Sequence, residues 1–111
     1  MTTHAMIDLE TLGTAPDCAV LTIGAIKFDP NIAKPAWDEF YYRFDVDDQL
    51  ARGRTVLDST LDWWNQQEAH VREEALGDNN RTPVLDVLTH LNKWCVGATT
   101  IWCQGPAFDI V

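Results

Sequence analysis

The spacing of apolar and polar positions changes period along the chain. His4-Ala5-Met6-Ile7-Asp8 reads as a short apolar strand ending on a carboxylate, and Gly13 to Asp17, with its Gly and Pro, as a turn. Cys18 to Phe28 is apolar on both alternating sets, which predicts a central strand covered on both faces. Asp29-Pro30-Asn31 breaks it. A third strand is predicted over Glu39–Asp45, with Phe40, Tyr42 and Phe44 on one face and Tyr41, Arg43 and Asp45 on the other. The links between these strands are too short for helical crossovers, so the pattern predicts an antiparallel meander.

From Asp58 the period becomes helical. Asp58-Ser59-Thr60 supplies N-cap candidates, and Leu61, Trp64, Val71 and Ala75 suit one or two helices up to Gly77. The clearest helix has Thr82 as cap and Pro83 at its first position. Val84, Leu88, Leu91 and Cys95 follow at helical spacing, flanked by Val87 and Trp94, and Gly97 ends it. Thr99–Cys103 predicts a further short strand, and Gly105-Pro106 turns toward a helix starting near Ala107. So short a helical start before Val111 buries almost nothing. The expectation is one α/β domain over 1–111, a mixed sheet of three antiparallel strands followed by helices and a parallel strand. It is the N-terminal portion of a longer fold, with the last strand and helices missing.

Composition narrows the function. The 111 residues are 46% hydrophobic, enough for one small core. Seventeen acids against 8 bases give a net charge of −9, which disfavours a broad basic grip on duplex nucleic acid. No apolar run approaches the roughly 20 residues of a membrane span, and the N-terminus lacks the basic start of a signal peptide. Cys18, Cys95 and Cys103 are odd in number and show no C-x-x-C spacing, which argues against a disulfide framework or a zinc site and predicts a reducing, cytoplasmic setting.

The candidate chemistry starts at Asp8-Leu9-Glu10-Thr11. Carboxylates at i and i+2 share one side of a strand, and their oxygens can converge on one cation at the carboxyl end of the strand. Asp109, after the apolar strand and in Gly105-Pro106-Ala107-Phe108-Asp109, faces Asp8 and Glu10 if the two strands run parallel side by side. Three clustered acids raise one another's pKa unless a divalent cation neutralises them, and oxygen-only ligands point to Mg²⁺ or Mn²⁺. Other features read as structural. Trp63-Trp64 suits one core residue and one half-exposed one rather than a base-stacking platform; Arg52-Gly53-Arg54 and the Asp45, Asp47, Asp48 cluster read as solvated loops, and Cys103 as a buried strand residue.

M-I-D-L-E-T-L-G at Met6–Gly13, A-V-L-T-I-G-A-I-K-F at Ala19–Phe28, T-L-x-W-W-x-x-Q at Thr60–Gln67 and W-x-Q-G-P-x-F-D at Trp102–Asp109 occur in that order. Together they resemble the DEDD (DnaQ-like) superfamily of 3′–5′ exonucleases with a ribonuclease H-like fold. The branch most similar is the phage and bacterial one that includes exodeoxyribonuclease VIII-like and small exoribonuclease-like domains. The resemblance implies that Asp8, Glu10 and Asp109 are the catalytic and metal-holding acids for two Mg²⁺ or Mn²⁺ ions. It also implies that Thr11 and Leu12 sit against the terminal nucleotide, Leu12 on its base, with Phe108 walling the same pocket. The implied partner is a single-stranded DNA or RNA 3′ end, hydrolysed by a two-metal mechanism.

The chain departs from the family pattern at its third motif, a His shortly ahead of a final Asp. None of His4, His70 and His90 has an Asp five residues later, so the general base and fourth carboxylate are not among these residues. Weak or absent turnover is therefore expected, with self-association through apolar surface left by the missing elements. Two further readings stand beside the exonuclease: a non-catalytic nucleic-acid-binding or interaction module on the same fold, and a phosphotransferase of the D-x-D type. The last fits poorly, because a second strand rather than a helical crossover follows the first acid.

Overall fold

The computed structural model describes residues 2–32 and 36–103. Alternation through Ala5, Ile7 and Leu9 forms β1, His4–Thr11, which continues past the expected end at Asp8, so both acids lie within the strand. β2, Val20–Phe28, pairs antiparallel with β1, and β3, Asp38–Phe44, pairs antiparallel with β2, as the meander predicts. Cys18, expected inside the second strand, instead makes an isolated bridge to Thr55. β4, Arg81–Thr82, has no counterpart in the sequence pattern; it lies parallel to β3. β5, Thr100–Trp102, runs parallel to β1, and the sheet order is β4-β3-β2-β1-β5.

The acid cluster expected as a solvated loop begins a helix, α1, Val46–Ala51. Asp45 caps it by accepting the Asp48 N–H at 3.0 Å, and the acidic first turn complements the helix dipole. Within α1, Gln49 is buried and acts as a strand would: its amide accepts the Val20 N–H and donates to the Val20 carbonyl, both at 2.8 Å. The expected one or two helices are two, α2, Asp58–Asn65, and α3, Ala69–Leu76. Leu57, not Asp58, Ser59 or Thr60, stands at the α2 N-cap. α4, Val84–Trp94, starts one residue later than expected, with Pro83 at the cap position and Thr82 in β4. Its first N–H is satisfied at a distance, by the Asp48 carboxylate at 3.0 Å from Val84 N.

α4 covers one face of the sheet. Its core stripe is Val84, Val87, Leu91 and Trp94, against Ile7, Ile23, Ala25, Phe40 and Phe44. Leu88, expected in that stripe, is exposed. A second core forms where β1 ends, from Leu12, Ala19, Leu21, Trp64 and Ala75. On the opposite face of the sheet, Met6, Ile26, Tyr41 and Trp102 are exposed, so β2 is not covered on both faces by the described residues. Among those residues, no helix is long and apolar enough to cross a membrane.

Candidate active site

Asp8 and Glu10 lie on the face of β1 that α4 does not cover, and both are exposed. Their partners across the β1–β2 ladder are Gly24 and Thr22. Partial burial, and then the negative charge of Asp8, raise the Glu10 carboxyl above its ordinary pKa. Two carboxylates in this relation resist joint ionisation, and a hard divalent cation relieves the repulsion. The donor set therefore fits such an ion as far as it goes. Among the described residues, no group of three or more His, Cys, Asp or Glu side chains is gathered for a metal.

The strand end beyond Glu10 is tightly fixed. The ladder shifts register between Glu10 and Thr11, and there the Trp64 indole donates to the Thr11 carbonyl at 2.8 Å. The Leu12 N–H donates to Ala19 O at 2.9 Å, and the Leu57 N–H to Leu12 O at 2.8 Å. Gly13 is required by close approach: a Cβ there would meet Cys18 Cβ at 2.7 Å, inside contact distance. These restraints set the bearing of the acid-carrying strand from α2 and from the turn behind it.

On the other side of β1, β5 pairs only with His4, Ala5 and Met6. The Trp102 indole donates to His4 Nδ1 at 2.7 Å and stacks on that ring with centroids 6.0 Å apart. The parallel arrangement expected of these strands is present, and the chain leaves β5 beside the residue two positions before Asp8. Asp109 and Phe108 lie outside the described residues.

The two expected nucleotide contacts differ in setting. Thr11 is half-buried and donates its hydroxyl to Gly13 O at 2.8 Å. Leu12 is only 4% exposed, packed in the core beneath α2, which leaves little of its side chain to meet a base. Trp63 and Trp64 divide as expected: Trp64 is buried and Trp63 exposed, edge-on at 4.8 Å. Arg52 pairs with Asp48 at 3.2 Å and, with Arg54, lines a cavity of about 550 Å³ with Ile7 and Leu9, which belong to the face covered by α4. Cys103 is half-buried and lies just past β5 rather than within it. In the sequence Trp64 reads only as core, because nothing local marks a long-range bond from an indole. Gly24, across the ladder from Asp8, is a glycine inside an apolar strand, a position the sequence reading does not single out.

An exodeoxyribonuclease of Enterobacteria phage T4 is 29% identical over 117 aligned positions, covering 94% of this chain and 51% of the phage protein. The chain thus spans about half the length of that curated relative. The crystal structure of a metal-free E. coli ExoI–ssDNA complex matches with a TM-score of 0.62 at 19% identity, over 98% of this chain and 22% of that one. This likeness shows the ribonuclease H-like exonuclease fold expected from the motifs. With residues 3–111 matched by the family described as the 3′-5′ exoribonuclease Rv2179c-like domain, the chain belongs to that family.

Proposed function

We propose that this chain is the metal-dependent domain of a 3′–5′ exonuclease that removes nucleotides from single-stranded 3′ ends. The observation that carries the reading is the pair Asp8 and Glu10, on one face of β1 and just beyond the reach of the parallel β5. Asp8, Glu10 and Asp109 would hold Mg²⁺ or Mn²⁺. Such ions, when bound, would supply a water of lowered pKa and stabilise the leaving 3′-oxygen. The chain's own part is to bind and orient. Asp8 and Glu10 present hard oxygens on a strand held at Thr11 and Leu12, Thr11 borders the terminal nucleotide, and Phe108 walls its base, with the buried Leu12 packed behind that pocket and offering the base only its edge. The single-stranded DNA of the E. coli ExoI complex and the exoribonuclease name of the family support a single strand as the ligand class.

A net charge of −9 assigns affinity to the cations and a short 3′ end rather than to electrostatic wrapping. Because these residues lack the third-motif His and Asp, the 111-residue chain should turn over far more slowly than a polypeptide that supplies them. The exposed Met6, Ile26, Tyr41 and Trp102 support self-association through the open sheet face.

The test is a thermal melt against Mn²⁺ for the parent, Asp8→Asn and Asp109→Asn, alongside decay of 5′-labelled single-stranded DNA and RNA. The melting point should rise with free Mn²⁺ in the parent, hardly at all in Asp8→Asn, and to an intermediate degree in Asp109→Asn. An unchanged shift in Asp8→Asn removes the central residue and the exonuclease reading with it. Nucleic-acid binding that survives in EDTA and in Asp8→Asn would favour the non-catalytic module instead.

A further inference from the structure

Little holds β5 to β1. The parallel pairing joins His4 to Thr100, Ala5 to Ile101 and Met6 to Trp102, and just outside it the Thr99 N–H donates to Thr3 O at 2.8 Å. So short a parallel ladder is weak, and a single side-chain bond across it is a large share of what keeps β5 in place. That bond runs from the Trp102 indole N–H to His4 Nδ1, at 2.7 Å. An indole nitrogen only donates, so Nδ1 accepts and the imidazole is neutral, with its proton on Nε2. A second proton would sit on Nδ1 and set two donors against each other.

The surroundings of His4 decide what that proton meets. His4 is half-buried between the Trp102 ring, stacked with centroids 6.0 Å apart, and the Phe28 ring, tilted at 5.7 Å. Its β5 neighbours are Thr100 and Trp102, and neither side chain changes charge near neutrality. Along β1, Asp8 shares the face but stands beyond Met6. Lys27 turns to the other face, over the Trp94 ring at 4.7 Å. From the end of β2 the charged group is the buried Asp29. The Asn31 N–H first, and then the Thr2 N–H, hold its carboxyl below the ordinary range, with His4 and the chain's amino terminus acting on it as positive charges. Asp29 is thus anionic wherever imidazole titrates, and it favours the imidazolium that the indole opposes.

We infer that His4 and Trp102 form a pH-sensitive latch on the β1–β5 seam: neutral His4 holds β5 down, and protonated His4 releases it while the β1–β2–β3 meander stays intact. The bond needs the neutral ring, so its contribution is full above the histidine range and is lost as pH falls through it. The latch does not depend on the exonuclease reading, but the strand it frees is the neighbour of the one that carries Asp8 and Glu10.

The experiment follows the full 111-residue chain by NMR from about pH 8 to about pH 5. It reads the His4 ring protons, the Trp102 indole N–H, and the hydrogen-exchange protection of the Thr99 amide after correction for the intrinsic pH dependence of exchange. In the parent the indole resonance should titrate with the same midpoint as His4. Thr99 protection should fall about tenfold while the amides of the β2–β3 ladder keep theirs. In His4→Asn the side-chain oxygen takes the place of Nδ1 and does not titrate, so indole and Thr99 should both be independent of pH. In Trp102→Phe the donor is gone, and Thr99 protection should stay at the parent's acid value throughout. A parent whose indole and Thr99 do not respond to pH overturns the latch. So does a fall in Thr99 protection that survives in either variant, which would place the titration on Asp29 or the amino terminus. Loss of β2–β3 protection together with that of Thr99 overturns it as well, because the whole fold would then be opening.

Discussion

Trp64 reaches across the molecule to donate its indole N–H to the backbone carbonyl of Thr11, at 2.8 Å. The acceptor is the residue immediately after Glu10, where the β1 ladder shifts register. One side chain therefore joins α2 to the strand that carries both acids.

This bond separates two tryptophans of the core. Trp64→Phe keeps an aromatic ring and removes the buried bond to the Thr11 carbonyl, so it should cost about 2 kcal/mol. Trp94 packs on Phe40 and under Lys27, but its buried Nε1 has no hydrogen-bond partner among the described residues. Trp94→Phe should cost less than about 1 kcal/mol, because no bond is lost. Urea denaturation of both variants checks the order. Equal losses would show that the Trp64 bond adds nothing to ring packing.

Glu10→Gln should separate stability from metal binding. Burial and the Asp8 charge raise the Glu10 carboxyl above 4.5 in the folded protein. The fold thus holds that proton more firmly than the unfolded chain does. The contribution is full below the ordinary carboxyl value and is lost as pH rises through the raised one. At neutral pH without metal, Glu10→Gln should equal or exceed the parent, by no more than about 0.5 kcal/mol for so exposed a site. With Mn²⁺ the order should reverse. Melts in EDTA and in Mn²⁺ read both halves, and a variant less stable than the parent in EDTA would contradict the repulsion between the two acids.

Asp48 predicts the opposite limb of the pH profile. The Val84 N–H, and after it Arg52, hold its carboxyl below 3.8. Its contribution is present above the ordinary value and is lost as pH falls through the lowered one. Asp48→Asn should flatten the acid limb of the stability curve and weaken hydrogen-exchange protection at the start of α4. An acid limb unchanged from the parent would mean that the contact with Val84 does not persist in solution.

Arg81 is the hinge pin of the second core. Its guanidinium donates to four carbonyls: Gly77 at 2.8 Å, Leu21 at 3.0 Å, Phe44 at 3.1 Å and Ala75 at 2.5 Å. A lysine cannot reproduce that planar fork. Arg81→Lys should cost about 2 kcal/mol and Arg81→Ala about 3 kcal/mol or more, since each of these carbonyls loses a donor. Denaturant midpoints decide it. A lysine variant as stable as the parent would show that charge alone suffices.

These bonds also lie beyond what the chain makes legible. The meander and the alternation of Phe40, Tyr42 and Phe44 can be read directly, because burial on one face writes a period of two into the residues. The acid pair is legible for the same reason. β4 and α1 are not: two residues and six carry too little pattern, and their partners stand far off in sequence, Arg81 with Arg43 and Gln49 with Val20. The core stripe of α4 slips because Leu88 looks as apolar as Val87, and only the packing of the sheet tells them apart.

The pairing of β5 with β1 ties the two ends of the described chain together. Thr99 donates its hydroxyl to Thr3 across 96 positions, and Trp102 its indole to His4 across 98. Closing so long a loop is entropically slow, whereas β1, β2 and β3 meet through short connections. In time, then, the meander assembles first and the fifth strand docks last. During synthesis the acid-bearing strand waits, with one edge unpaired, until almost all of these residues have been made.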